Sequence, residues 1–175
     1  MRRHIVEHLL MVLVIAWATG WVVPAAALSS DRTQPINIKA DRVHIEEKTG
    51  ISDYDGNVEM TQGSIVVTGD HVRVYQVAGR VQKVVASGAP AHFRQRPDHG
   101  AEVIADAEHM EYLTENERLI LTGNAHVVQG GNSFAGHLIE YDTRQSVVNA
   151  SKGEQGEGRV RATIVPGGSP QQKQP

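Results

Sequence analysis

The stretch Gly56–Tyr75 reads GNVEMTQGSIVVTGDHVRVY, and it decides the fold class. Apolar and polar residues alternate on both sides of Gln62-Gly63, and Gly69-Asp70 marks a second break. Period-two alternation bounded by glycine is typical of half-buried strands joined by tight turns. The stretch therefore predicts three short strands that each carry one apolar face.

The same pattern recurs in Gly123–Tyr141, GNAHVVQGGNSFAGHLIEY. The matched positions are Gly56-Asn57 with Gly123-Asn124, Gln62-Gly63 with Gln129-Gly130, and Gly69 with Gly136. Upstream, Ala40–Glu46 aligns with Ala105–Glu111, which gives a period of about 65 to 67 residues with a small length change between the two blocks. Short strands repeated at this spacing predict stacked units that bury one face against their neighbours.

Composition limits the classes of protein that fit. A chain of 175 residues suits one domain with a real core. The net charge of −3 is weakly acidic and argues against nucleic-acid binding, which requires a basic surface. There is no cysteine, so packing and backbone hydrogen bonds must hold the fold.

The N-terminus reads as a secretory signal peptide over residues 1–27. Arg2 and Arg3 supply the positive charge, Leu9–Val23 the apolar segment, and Ala25-x-Ala27 the cleavage site. An uncleaved membrane anchor is the alternative, although the apolar segment is short for a membrane span. We predict a periplasmic protein with a flexible lead-in over 28–35, a folded domain over 36–166 and a disordered tail over 167–175.

The rest of the folded part also reads as β-structure. Ile36–Ala40 alternates, and the phase slips at Asp41-Arg42, as at a bulge or corner. We predict a strand at Val81–Ala86 that ends at Gly88-Ala89-Pro90, a short strand at His92–Gln95, and a last strand at Arg159–Val165. The fold class is all-β: a twisted, open-ended β-jelly-roll built from two related repeats of short antiparallel strands. Its first and last strands would have unpaired backbone groups that invite another strand.

At this point the sequence resembles a known family. The residues that carry the resemblance are QPINIKAD at 34–41, GNVEMTQG at 56–63, APAHF at 89–93 and LTGNAHVVQ at 121–129. Together they are similar to the OstA-like family of periplasmic lipopolysaccharide-transport proteins, of the LptA type, from Gln34 to about Pro166. The resemblance implies a jelly-roll that holds the acyl chains of lipid A on its inner face. It also implies head-to-tail homo-oligomers that bridge an LptC-like inner-membrane protein and an LptD-like outer-membrane translocon.

Two sets of site residues follow. The apolar side chains predicted to line a continuous lipid-binding trough are Ile36, Ile38, Val58, Met60, Ile65, Val67, Val72, Val74, Phe93, Met110, Leu119, Leu121, Phe134 and Ile139. The edge strands predicted to join copies consist of Ile36, Asn37, Ile38, Lys39 and Ala40 at one end and Val160, Arg161, Ala162, Thr163 and Ile164 at the other. Candidates for contact with lipid phosphates are Lys39, Arg42, Arg73 and Arg94, although basic residues on strands are usually only solvated.

Each assignment has a simpler alternative. Any one apolar position can be ordinary protein core. The alignment makes His44 equivalent to His109 and Asp41 to Asp106, which duplication explains better than a metal or catalytic site. No zinc, phosphate-loop or nucleophile motif is present, so we predict neither a cofactor nor a metal and no enzyme activity. The competing hypotheses are a membrane-anchored LptC-like assembly component, a scaffold without lipid, and a β-solenoid enzyme acting on envelope glycan.

Overall fold

A computed structural model describes residues 31–97, 100–152 and 159–166. The predicted signal peptide and tail lie outside the described residues. The described chain consists of a short 3-10 helix, Asp31–Thr33, and ten strands. The strands are β1 Ile36–Lys39, β2 Arg42–Glu46, β3 Ile51–Gln62, β4 Ile65–Val77, β5 Arg80–Gln95, β6 Val103–Leu113, β7 Arg118–Gln129, β8 Asn132–Asp142, β9 Val147–Ser151 and β10 Arg161–Thr163.

All ten strands belong to one open antiparallel sheet, which confirms the predicted all-β class. The six long strands β3 to β8 lie side by side in chain order. At one end β1 and β2 both pair with β3, and at the other end β9 and β10 both pair with β8. This order is a meander of hairpins, so it does not confirm the jelly-roll description in detail.

The long strands differ from the short strands that the sequence predicted. β4 runs through Gly69-Asp70 without ending. β5 has 16 residues and runs through Gly88-Ala89-Pro90, where the Ala89-Pro90 peptide bond is cis. The predicted strand ends at these glycines and at the proline are wrong, because bulges absorb such residues and bend a strand without ending it.

The bulges are aligned across the sheet. Every neighbouring pair from β3–β4 to β7–β8 shifts its register near mid-strand. The shifts lie at Asp55/Val58, Thr68/His71, Ser87/Ala91, Asp106/His109 and Thr122/Ala125. We call this line the crease. It divides the sheet into a first arm, which includes β1, β10 and segments 58–68, 91–107 and 125–136, and a second arm, which includes β2, β9 and segments 51–55, 71–87, 109–122 and 138–142.

The core lies between the two arms. Phe93 in the first arm and Tyr112 in the second place their ring centroids 5.8 Å apart. The buried apolar residues form a single cluster that draws on both arms. Because a sheet buries one face only against another surface, folding at the crease lets this sheet provide both surfaces itself.

The internal repeat is confirmed, and its period is 67 residues from β1 to β8. The β1–β3 pair Ile36↔Gln62 has the same register as the β6–β7 pair Val103↔Gln129. The β2–β3 pair Val43↔Tyr54 likewise matches Met110↔Leu121. β1 and β2 together thus correspond to β6, and no length change separates the repeats.

The upstream alignment by 65 residues is therefore wrong by two positions. The equivalent of Asp41 is Glu108 and not Asp106, and His109 is not the equivalent of His44. Matching hydrogen bonds show the true correspondence: Asn57 Nδ2 donates to Asp41 Oδ2 at 3.0 Å, and Asn124 Nδ2 donates to Glu108 Oε1 at 2.5 Å. Asp41 also marks the corner between β1 and β2, where its N–H donates to the carbonyls of Asp55 and Gly56.

The residues before β1 are attached to the first arm. Asp31 accepts hydrogen bonds from the Ser64 N–H and hydroxyl, both at 2.7 Å, and from Gln95 Nε2 at 3.3 Å. Asp31, within the lead-in predicted over 28–35, thus contacts the first arm.

Gly50, in the turn before β3, is expected to be the most sensitive glycine. Its φ is +68°, and an added Cβ would lie 2.2 Å from the Gln76 backbone oxygen. Gly50→Ala should lower the free energy of unfolding by about 2 kcal/mol or more, because a left-handed conformation and a backbone clash combine. Gly79 is the matched control, since its φ is +74° but nothing lies within 4 Å of the added Cβ.

Gly79→Ala should therefore lower the free energy of unfolding by only about 1 kcal/mol. Urea denaturation of both variants measures the difference. Equal losses would show that the Gln76 carbonyl moves away freely.

Candidate functional site

The predicted trough residues lie together on one face of the sheet, the inner face between the arms. Eleven of the fourteen are buried. Ile36, Ile38 and Phe134 are partly buried and pack against the same cluster. Glu59, beside Met60, points to the outer face, where it pairs with Lys39.

Ten further buried residues of this face were not predicted. They are Val84, Ala86, Ala91, Val103, Ala105, Ala107, Tyr112, Ala125, Val127 and Tyr141. Alternation in β6 and β7 was the available signal, but many of these side chains are alanines. Alanine is small, and sequence periodicity alone does not show that such a position is buried.

In the described part of the chain, the buried apolar side chains of the inner face are at most 3% exposed, so this face is closed in this conformation. A cavity of about 10 Å³ remains between the arms, bounded by Val67 and Phe93 of the first arm and by side chains including Met110 and Leu119 of the second. This volume accommodates about one water molecule. The continuous trough that we predicted is filled by the protein's own side chains, so an apolar guest of any length requires the arms to separate.

A cleft of about 420 Å³ lies where the free ends of the arms meet. Ile36 and Gln62 line it from the first arm, and Val81, Thr114 and their neighbours line it from the second. The rim of this cleft is polar, and its side chains form hydrogen bonds. Gln62 Nε2 donates to the Gln34 carbonyl at 3.2 Å, and the Thr114 hydroxyl donates to the Val81 carbonyl at 2.6 Å. We call this opening the mouth.

Tyr141 is buried on the inner face of the second arm. Burial raises the pKa of its phenol above the ordinary value of 10.0, while Ser146 and Gln129 act in the opposite direction. The folded state therefore binds this proton more tightly than the unfolded state does. The corresponding stability is complete below about pH 10 and is lost as the pH rises through the raised folded value.

When the pH is raised from about 9 to about 11, the free energy of unfolding should therefore fall less for Tyr141→Phe than for the unchanged protein. Chemical denaturation at both pH values provides the comparison. The same loss in both proteins would mean that Tyr141 does not titrate in this range before unfolding.

The outer face carries cross-strand ion pairs. Arg73 Nε lies 2.6 Å from Asp53 Oδ1, and the pKa of Arg73 is raised mainly by its hydrogen bond to this carboxylate. Lys39 lies 3.0 Å from Glu59. The four cations suggested for lipid phosphates lie on the outer face. Neighbouring residues of a strand point to opposite faces, and each of these cations follows or precedes an apolar residue that lies on the inner face or at a sheet edge. They are Lys39, Arg42, Arg73 and Arg94. Lys39 and Arg73 already have carboxylate partners.

Among the described residues, no three His, Asp or Glu side chains converge as a metal site requires. In the same part of the chain, no helix has the length and apolar character needed to cross a membrane.

Both ends of the sheet expose apolar edges. Val43 and Ile45 of β2 are each 58% exposed. At the other end, Ile164 is 69% exposed just beyond β10. β1 and β10 are terminal in the strand order, and β2 and β9 extend the same edges, whereas the prediction named only the first and last strands as edges. The last strand is shorter than predicted, so Val160 and Ile164 lie outside it.

Comparison with known proteins places this geometry in a family. The family described as "LptA/(LptD N-terminal domain) LPS transport protein" matches residues 37–147. The chain belongs to this family.

Its relatives share most of their length with it. The lipopolysaccharide export system protein LptH of Pseudomonas aeruginosa is 38% identical over 130 residues, which cover 73% of this chain and 74% of that protein. The lipopolysaccharide export system protein LptA of Escherichia coli K12 is 33% identical over 148 residues, covering 82% and 78%. The crystal structure of LptH, described as the LptA-homologous periplasmic component of the transport device in P. aeruginosa, superposes with a TM-score of 0.72 at 35% identity, covering 79% of this chain and 100% of that one.

Proposed function

We propose that this protein is a periplasmic lipopolysaccharide-transport protein that shields acyl chains between its two arms. The observation that carries the proposal is the inner face, which is apolar across all six long strands in a member of the LptA/LptD N-terminal domain family. An acyl chain gains about 0.8 kcal/mol for each CH₂ removed from water. A uniform aliphatic lining gives no single position a strong preference, and this suits a carrier that must also release its cargo.

The partners and location follow from the same proposal. We place the protein in the periplasm, between an LptC-like inner-membrane protein and an LptD-like outer-membrane translocon. It acts by binding and not by catalysis. The lining residues named in the sequence analysis would contact lipid once the arms part.

Photocrosslinking in cells tests lipid binding directly. A photoreactive residue at Met60, which is 1% exposed on the inner face, should yield a lipopolysaccharide adduct. The matched control is the neighbouring Glu59, which faces outward and should yield none. Because the inner face is closed, a scaffold that never opens is the second candidate function. Adducts from neither position, in a protein that folds and reaches the periplasm, would favour the scaffold.

The repeat supplies a register for joining two copies. Within the chain, β5 pairs with β6 and so joins the first repeat to the second. In the second repeat, β9 and β10 together pair with β8 in the same way that β5 pairs with β4 in the first. In the first repeat, β1 and β2 together occupy the place that β6 has in the second. An edge-to-edge joint with the β5–β6 register would therefore pair β9 and β10 of one copy with β2 and β1 of the next.

This register brings apolar side chains together. The internal pair Val84↔Tyr112 becomes Val148 of one copy opposite Ile45 of the next. The exposed edge side chains of β2 would then be covered, and the apolar inner face would continue from copy to copy.

A disulfide scan tests the joint in a chain that has no native cysteine. Val148→Cys with Ile45→Cys should form disulfide-linked linear oligomers on mild oxidation, because directly opposed residues lie within bonding range. Val148→Cys with Val43→Cys is the control, since it is two residues out of register on the same edge. Crosslinking of the control pair instead would show that a different register is used, and a monomer at high concentration would exclude the joint.

A further inference from the structure

A basic concavity lies on the outer face of the first arm, next to the crease. It encloses about 520 Å³ between β7, β8 and β10. Ala135 and Gly136 on β8 line its floor, where alanine contributes only a methyl group and glycine has no side chain. The residues directly opposite Ala135 on the neighbouring strands are larger. They are His126 on β7 and Arg161 on β10.

The described residues of its wall carry positive charge, while Glu154 and Glu157, between Lys152 and Arg159 in the sequence, lie outside the described residues. Lys152, Arg159 and Arg161 contribute three cations, and His126 and His137 contribute two imidazoles. No carboxylate is among the described residues that line it. Elsewhere on the outer face several cations lie across from acids, as Arg73 does with Asp53 and Arg118 with Glu140.

Two carboxylates close to the concavity are already engaged. Glu108 Oε1 accepts a hydrogen bond from Asn124 Nδ2, and Asn124 itself lines the concavity. Asp106 is the cross-strand partner of His126, but its carboxylate lies 2.5 Å from His92 Nδ1 on the other side. Neutral donors are also present, because Ser133 and Thr163 line the same concavity. Guanidinium groups together with hydroxyl and imidazole N–H donors form the donor set that recognises tetrahedral oxyanions.

We propose that this concavity is a phosphate-binding site, formed by Lys152, Arg159 and Arg161 over the Ala135-Gly136 floor. The ligand is a phosphate mono- or diester, which either an amphiphile headgroup or free phosphate can supply. The site lies on the outer face of the sheet, opposite the inner face proposed to hold acyl chains, so it does not depend on lipid entering between the arms. It identifies cations that the sequence analysis did not consider.

Titration of the whole mature protein with inorganic phosphate at constant ionic strength tests the proposal. The amide resonances of Ala135, Gly136 and Arg161 should shift in a saturable manner. Lys152→Gln/Arg159→Gln/Arg161→Gln should weaken binding at least about tenfold, because charge-assisted hydrogen bonds dominate such a site. Arg144→Gln is the control, since Arg144 is an exposed arginine in the β8–β9 turn, remote from the concavity.

A second titration with a short-chain phosphatidic acid below its micellar concentration identifies the source of the phosphate. Binding about tenfold tighter than inorganic phosphate, and still lost in the triple variant, assigns the site to a lipid headgroup. Equal or weaker binding assigns it to free phosphate. The proposal is overturned if neither probe saturates, or if the triple variant binds as the unchanged protein does. A crosslink at Met60 that persists in the triple variant would leave the acyl-chain proposal intact.

Discussion

Phe134→Asp should leave the protein folded and should reduce the lipopolysaccharide that it retains at least about tenfold. Phe134 is only partly buried, and its partner on β10 is the small, exposed Ala162. A carboxylate at this position can stay hydrated in the free protein. Once acyl chains occupy the inner face, the same carboxylate would have to lose its water, which costs several kcal/mol for an unpaired charge. Ile38→Asp should behave likewise at the other end of the sheet.

The controls separate binding from folding. Phe134→Leu keeps the position apolar and should retain lipid. Phe93→Asp places the charge where the side chain is 1% exposed, and we expect it to lower the free energy of unfolding by about 4 kcal/mol or more. Thermal denaturation and the amount of co-purified lipopolysaccharide measure the two effects. An unfolded Phe134→Asp protein would show that this position belongs to the structural core.

Locking the mouth should abolish lipid uptake almost completely. The cavity of about 10 Å³ between the arms cannot admit an acyl chain until the arms separate. Ile36→Cys and Val81→Cys place one thiol on each arm at the mouth, in a chain with no other cysteine. A cleavable bismaleimide linker across this pair should block uptake, and cleavage of the linker should restore it.

The matched control joins two residues of the same arm. Val81→Cys and Glu115→Cys also line the mouth, but both belong to the second arm. The same linker across this pair should leave uptake unchanged. Normal uptake by the Ile36–Val81 crosslinked protein would mean that lipid reaches the inner face by another route, such as an open edge of the sheet.

Alternation and glycine punctuation were enough to predict the fold class, the repeat and about half of the inner face. Met60 inward and Glu59 outward follow from period two alone. Strand length could not be predicted, because Gly69 and Pro90 have the same appearance in a turn as in a bulge. Only the pairing of neighbouring strands shows that the chain continues through them.

The closed core was also out of reach of the sequence. Periodicity assigns a residue to a face but does not tell how far away the opposite surface lies, so a filled interior and an open trough share one pattern. The basic concavity could not be predicted from the sequence for a related reason. Lys152 directly follows β9 and Arg161 begins β10, and only the pairing of β9 and β10 with β8 brings them to one place.

The exact 67-residue period also gives this protein a unit of length. Each repeat adds about four strands in width, and strands lie about 4.8 Å apart, so one repeat corresponds to about 20 Å of sheet. Because the joint between repeats inside the chain resembles the joint available at its two edges, extra repeats could be added by tandem duplication or by assembly with similar geometry. The length of such a structure would increase by about 20 Å with each added repeat. Each added repeat would present the cargo with nearly the same apolar surface as the one before it.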